Sequence, residues 1–303
     1  MTKEPNKISV GIVGAGVIGR RVVGAVRLQP DMALAGVADV AADWRIAMLA
    51  KDGVRLFAAS SQASQTLPES GLDVAGSLED LIAASDVIVD CTPKGIGAQN
   101  ADIYRRAGKP FIVQGGEKHD VAGHSFVAEA TYESALGRDA TRVVSCNTTS
   151  IVRTLGALKR AGLLKKARGT LMRRATDPWE SHLGGIMNTL VPEPTIPSHQ
   201  GPDARHVDPE LDVVTIAIKV PETLAHLHSW YVELTRPATK EEVLDAFAAS
   251  PRILLIDGDS GLSALNSVKE AMAMEGRPNA DLYEVALWSN ILAVDGTELC
   301  YNY

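Results

Sequence analysis

Cys146 stands in Ser145-Cys146-Asn147-Thr148-Thr149, after the β-branched pair Val143-Val144 and before a stretch whose apolar residues recur with helical spacing. That placement puts the thiol at or near a helix N-terminus, where amide donors and the helix dipole favour thiolate over thiol. A thiolate adds to carbonyl carbon and can carry a covalent intermediate. An isolated cysteine is more often a buried structural residue, so its company decides. In Ala225-His226-Leu227-His228 two histidines share a face if the segment is extended. Each can be a structural residue or the acid/base partner of the thiol. Arg173-Arg174, near a strand end, are a solvated pair or an anion site, and the arginine fork suits phosphate because it donates two hydrogen bonds. His199, in Pro197-Ser198-His199-Gln200-Gly201, is a further candidate for a phosphate contact.

A second constellation opens the chain. Gly14-Ala15-Gly16-Val17-Ile18-Gly19 follows a strand-like run and begins a helical one. Glycines there permit a tight turn, close approach of backbone to a pyrophosphate and close helix-to-strand packing. The motif is weak alone, but an acidic residue, Asp39, follows Gly19 by about twenty positions at the end of the next strand, as dinucleotide recognition requires. A carboxylate there accepts from a ribose 2'-hydroxyl and repels a 2'-phosphate, which favours NAD over NADP. Asp90-Cys91-Thr92-Pro93-Lys94-Gly95-Ile96-Gly97 and Gln114-Gly115-Gly116-Glu117-Lys118-His119 each end a further buried strand. Either is an ordinary turn or an approach to the nicotinamide side of the cofactor. A nucleophilic cysteine, a dinucleotide loop and a histidine pair together describe oxidation of an aldehyde through a thioester.

These residues need a scaffold. Short, nearly continuous Val/Ile runs at Ile8–Val13, Ala33–Ala38, Asp86–Cys91, Pro110–Gln114 and Arg142–Ser145, with helical periodicity between them (Val17–Leu28 first), predict strands buried on both faces and hence a parallel sheet. The expected class is α/β: a Rossmann-type domain over residues 1–144 and a C-terminal α+β catalytic domain over 145–303. In the second domain, Gly169–Arg174, Asp212–Val220 and His226–Leu234 read as longer strands, several alternating in polarity. A helix over Lys240–Ala249, a strand at Ile253–Ile256, a helix near Leu265–Met274 and strands around Tyr283–Trp288 and Ile291–Val294 follow. Pro192–Pro209 shows no periodicity and reads as a long loop.

The bulk properties set limits on partners. A net charge of -7 argues against nucleic acid or an anionic membrane as partner. Three cysteines without metal-ligand spacing fit a reducing compartment and no structural metal. The opening Met-Thr-Lys-Glu lacks the apolar core of a signal peptide, and no stretch is long and apolar enough to span a bilayer, so a cytoplasmic location is expected.

With these strings assembled, the chain resembles the type II, archaeal-type glyceraldehyde-3-phosphate dehydrogenases over nearly its whole length. The carrying segments are Asp90–Ala98, Gln114–His119, Ser145–Thr149, Arg173-Arg174-Ala175, Pro197-Ser198-His199 and His226-Leu227-His228. The resemblance implies Cys146 as nucleophile with Asn147 beside it, His226 rather than His228 as acid/base, and Thr148, Arg173, Arg174 and His199 around substrate and phosphate. It implies Gly14, Gly16, Val17, Ile18, Gly19, Asp39, Thr92, Pro93 and Gly116 around the cofactor, NAD before NADP. A phosphorylated aldehyde and inorganic phosphate as the small-molecule partners, and a homotetramer, follow from it as well. Three departures stand out. Asp39 replaces a lysine suited to the 2'-phosphate, His199-Gln200-Gly201 replaces His-His-Gly, and the chain stops at Tyr303 where the family continues into a helix whose loss should bare an apolar face. The rivals are dehydrogenation of another phosphorylated or acidic aldehyde, and a non-catalytic dinucleotide-binding relative.

Overall fold

The computed structural model describes residues 7–114, 116–176 and 188–303. Two compact units divide the chain: Met1–Phe126 with Glu133–Ser145, and Val127–Tyr132 with Cys146–Tyr303.

The first unit is an eight-stranded, wholly parallel sheet. Its strands are β1 (Ile8–Val13), β2 (Met32–Asp39), β3 (Leu56–Ala58), β4 (Val74–Ser77), β5 (Val87–Asp90), β6 (Phe111–Val113), β7 (Ser125–Phe126) and β8 (Ala140–Val143), in the order β4-β3-β2-β1-β5-β6-β8-β7. Alternate residues of these strands feed two cores, which is why the sequence runs are apolar without alternation. Val10, Ile12, Val37, Leu56 and Val89 pack with helices α1 (Val17–Arg27), α2 (Trp44–Lys51) and α3 (Ala63–Glu69). Val13, Ala38, Phe57, Ile88 and Val113 pack with α4 (Leu78–Ala84) and α5 (Ile96–Arg106). The order reverses between β1 and β5, and in open α/β sheets ligands bind beyond the strand ends at such a switch point.

The second unit holds the short helix α6 (Ala128–Ala135, in part) and the fifteen-residue α7 (Cys146–Arg160), whose Ile151, Leu155 and Leu158 are fully buried. A six-stranded mixed sheet takes the order β10-β11-β9-β12-β16-β15 from β9 (Leu164–Arg174), β10 (Val191–Pro192), β11 (Val213–Val220), β12 (Leu227–Leu234), β15 (Ala293–Asp295) and β16 (Glu298–Asn302). β13 (Ile253–Ile256) and β14 (Val285–Trp288) form a separate parallel pair, and helices α8 (Gln200–Val207), α9 (Lys240–Ala248) and α10 (Leu265–Met274) complete the unit. Along β12 His228, Trp230, Val232 and Leu234 are buried while Tyr231 is exposed, the alternation of a sheet with one covered face.

Three sequence expectations need correction. The segment Pro192–Pro209 is not a continuous loop, because it contains α8. Pro202 lies in the first turn of that helix, where no amide hydrogen is needed, so a residue that reads as a breaker is tolerated there. The strand expected at Arg142–Ser145 lies two residues earlier, at Ala140–Val143, because Cys146 already begins α7. His226 falls just before β12 rather than within it. The Asp177-Pro178 step that follows the arginine pair lies outside the described residues.

Candidate active site

In the first unit the glycine loop lies at the switch point. Gly14 adopts φ +87°, and a Cβ on it would come within 3.0 Å of the Cys91 and Thr92 backbone, which binds the loops after β1 and β5 closely together. Gly19 is tighter still, since a Cβ would meet the Gly14 carbonyl oxygen at 1.9 Å. Around Gly16, by contrast, a Cβ would meet nothing within 4 Å, the open backbone approach that a pyrophosphate requires. The first turn of α1 carries no acidic side chain and Gly16 offers no side-chain cap, so the helix's first amides remain available as anion donors. Val17 is half-buried and Ile18 exposed in that turn.

Asp39, at the end of β2, accepts from the Ala15 amide at 2.6 Å through one oxygen and from the Ala41 amide at 2.8 Å through the other. Its carboxylate is thereby fixed against the glycine loop. The Thr92-Pro93 turn is shaped by the buried Asp90, which accepts from the Thr92 amide and hydroxyl, from Asn100 at 2.9 Å and from the Tyr104 hydroxyl at 2.7 Å. Buried Glu117 accepts from the Gly95 amide at 2.6 Å, joining the loop after β6, in which Gly116 has φ +83°, to the start of α5. Cys91 sits among these groups with its thiol pKa pushed up to about 12 by burial and by the Asp90 charge, so it is no nucleophile.

The second unit holds the candidate nucleophile. Cys146 is the first residue of α7 and is exposed, which removes the reading of a buried structural cysteine. Burial lowers the pKa of the Arg173 guanidinium, and the Cys146 charge opposes that fall. Asn147, the next residue, is buried, and its Oδ1 stands 2.8 Å from His228 Nε2. An amide oxygen only accepts, so Nε2 of His228 donates; Nδ1 then accepts from the Tyr303 hydroxyl at 2.8 Å. The buried His228 ring packs against that of Tyr303 at 4.8 Å, and β12 and Tyr303 exchange backbone hydrogen bonds in both directions. With both nitrogens engaged, His228 orients Asn147 and has no lone pair to offer a substrate. The Asn147 amide nitrogen remains as its donor.

His226 is different. Its Nδ1 accepts from the Arg174 backbone amide at 3.0 Å, which fixes the ring's hydrogen on Nε2. Burial, then the Arg174 and Arg173 charges, hold its pKa down to about 3, and His228 is depressed to about 3 chiefly by burial. Both imidazoles are neutral, and the Nε2 of His226 is a donor.

The remaining expected site residues divide. Arg173 ion-pairs with Glu193, and His199, largely exposed, has Nδ1 3.4 Å from the other Glu193 oxygen. Thr148 is fully buried, and its hydroxyl donates to Asp203 of α8 at 3.0 Å, which ties α7 to α8. Gln200, the residue after His199, is wholly buried. Among the described residues no cluster of three or more His, Cys, Asp or Glu could hold a metal, and no helix is long and apolar enough to cross a membrane. Sequence reasoning missed Glu193 and Tyr303. The first lies in a proline-rich stretch without periodicity; the second acts through a contact 75 residues away in the chain.

Comparison with known proteins finds matches for each unit. Residues 145–274 match the family described as glyceraldehyde 3-phosphate dehydrogenase, C-terminal domain, and residues 8–121 match dihydrodipicolinate reductase, N-terminus. The chain is 44% identical over 297 residues to a glyceraldehyde-3-phosphate dehydrogenase of Halobacterium salinarum, covering 97% of this chain and 88% of that protein. It is 44% identical to the one from Pyrobaculum calidifontis (98% and 86% covered) and 43% to that from Thermococcus kodakarensis (97% and 87%).

Proposed function

The chain belongs to the archaeal-type glyceraldehyde-3-phosphate dehydrogenase family, and we propose that it oxidises glyceraldehyde 3-phosphate to 1,3-bisphosphoglycerate, with uptake of inorganic phosphate, through a thioester on Cys146. The observation that carries this reading is the exposed thiol at the first position of α7, where the helix N-terminus favours a thiolate.

Family membership and the N-terminal fold imply a nicotinamide cofactor. The residues fit it, since Gly16 leaves open backbone and the first amides of α1 can hold a pyrophosphate. Asp39 would accept from the ribose hydroxyls, and its charge supports NAD over NADP. Bound, the cofactor supplies the hydride acceptor.

The steps on the protein follow from the side chains. The Cys146 thiolate adds to the aldehyde carbon, and the carbonyl oxygen becomes an alkoxide. The His226 Nε2–H and the Asn147 amide are the donors in this unit suited to that oxygen, a stabilisation that acts only as charge develops. Because the nucleophile enters as thiolate, the carbon gives up its hydride without prior removal of a hydroxyl proton, leaving the thioester. A phosphate oxygen then attacks the acyl carbon, the C–S bond breaks and Cys146 leaves as thiolate. Arg173 supplies charge, and His199 a ring hydrogen bond, for phosphoryl groups. His226 thus works as a donor, a role narrower than the acid/base function expected from sequence. The family resemblance also supports a homotetramer and a cytoplasmic, reducing setting.

The test is Cys146→Ser, assayed as phosphate-dependent NADH formation from glyceraldehyde 3-phosphate with cofactor binding measured in parallel. Turnover should fall by on the order of a thousandfold or more with binding retained. Turnover close to that of the unmodified protein refutes the assignment.

A further inference from the structure

The groups read as a phosphate site are already occupied by a side chain. Glu193 follows β10 directly, and its amide donates to the Ala217 carbonyl at 2.9 Å, which holds it beside β11. From there its carboxylate reaches over to β9. One oxygen makes a close ion pair with Arg173 Nη1 and the other lies 3.4 Å from His199 Nδ1. The Glu193 and Arg173 side chains are 19% and 28% exposed, so water screens this contact less than an open surface pair, while His199, at 60%, stands at the rim. One carboxylate therefore spans the two groups that a phosphoryl group would bridge. Arg173 Nε is also buried without a partner among the described residues, a donor left unused by this arrangement.

We propose that Glu193 is a specificity-determining residue: its carboxylate holds the Arg173–His199 anion position and yields it to a phosphoryl group but not to a carboxylate. This rests on the reading above that Arg173 and His199 receive phosphate. A ligand carboxylate entering here exchanges one monoanion for another and strands Glu193 without its cation, so it gains nothing. A phosphoryl group carries nearly two charges and three acceptor oxygens, enough to engage the arginine fork and the imidazole together. Discrimination thus comes from an internal competitor that the wrong ligand cannot outbid, a repulsive element alongside the attractive one. The aldehydes it rejects are the acidic, non-phosphorylated ones.

The experiment measures binding of inorganic phosphate alone and of acetate alone to the full-length protein, by calorimetry and by protection of Cys146 from alkylation. The variants are Glu193→Gln, Glu193→Asp and Arg173→Gln. Relief of one charge-assisted contact should tighten phosphate binding about tenfold in Glu193→Gln, and acetate should bind where the unmodified protein takes none. Glu193→Asp keeps the charge but retracts it by one methylene, and should fall between the two; it carries the test if the glutamine variant does not fold. Arg173→Gln should lose phosphate. If Arg173→Gln loses phosphate while both Glu193 variants bind phosphate and acetate like the unmodified protein, the proposal is overturned and the phosphate reading stands. If Arg173→Gln binds phosphate unchanged, the phosphate reading falls and the proposal with it.

Discussion

Acidification should destabilise the second unit through His228, by an amount the structure allows to be worked out. Its folded pKa of about 3 lies below the ordinary imidazole value of about 6.5. The unfolded chain therefore binds a proton between these values that the folded protein refuses. Stability from this residue is complete above about pH 6.5 and is lost as pH falls toward 3. From pH 7 to pH 5 the unfolded imidazole goes from about a quarter protonated to almost fully protonated, which costs roughly 2 kcal/mol for one such histidine. Carboxylates and other histidines titrate as well, so the difference between two proteins is the useful quantity. Glutamine at position 228 can still donate to Asn147 and accept from Tyr303, but it does not titrate. Urea unfolding of the unmodified protein and of His228→Gln should be followed at pH 7, 6 and 5. The stability of the unmodified protein relative to the variant should fall by about 2 kcal/mol across that range. A difference that stays constant would mean that His228 is not held neutral, and the orientation argued for Asn147 would lose its basis.

Two further outcomes are expected. Asp39→Ala removes the charge that opposes a 2'-phosphate, so the ratio of kcat/KM for NAD to that for NADP should fall by about tenfold or more, one lost repulsion being worth about 1.4 kcal/mol; an unchanged ratio would show that Asp39 serves only its contacts with Ala15 and Ala41. Alkylation of the folded protein with iodoacetamide near neutral pH, followed by peptide mapping, should label exposed Cys146 and leave Cys91 unmodified, because the Cys91 thiol is buried with a pKa near 12. Equal labelling of the two would contradict the distinction drawn between them.

What could be read from the sequence was whatever depends on neighbours along the chain. Val10, Ile12 and Val13 announce a strand because each lies on one of two covered faces, and the glycine loop follows from the end of that strand. Cys146 reads as a helix start because Val143-Val144 end one periodicity and Ile151, Leu155 and Leu158 begin another. The failures are of two kinds. In α8, Gly201 and Pro202 stand where local propensity predicts a break, yet the first turn tolerates both and the buried Ala204 and Val207 hold the helix. At the site, Thr148, Glu193 and Tyr303 take their roles from partners on other elements, Asp203, Arg173 and His228, so no local pattern could reveal whether each faces a ligand or the interior.

His226 and His228 show how such distant partners settle chemistry that residue type leaves open. The two are alike in sequence, both neutral and both shifted down chiefly by burial. Their difference lies in what each nitrogen meets. An amide oxygen and a tyrosine hydroxyl take up both nitrogens of His228, so its fixed tautomer serves to aim Asn147. A backbone amide takes up only Nδ1 of His226, and a backbone amide can only donate, so the proton must reside on Nε2. Nε2, which already bears its hydrogen, has no lone pair with which to receive a proton, and protonation at Nδ1 would displace the Arg174 amide and make a cation beside Arg173 and Arg174, which oppose it. The oxidation is therefore best served when the cysteine arrives already ionised and the imidazole supplies a hydrogen bond to the oxygen. The reaction then needs no base at the moment hydride leaves.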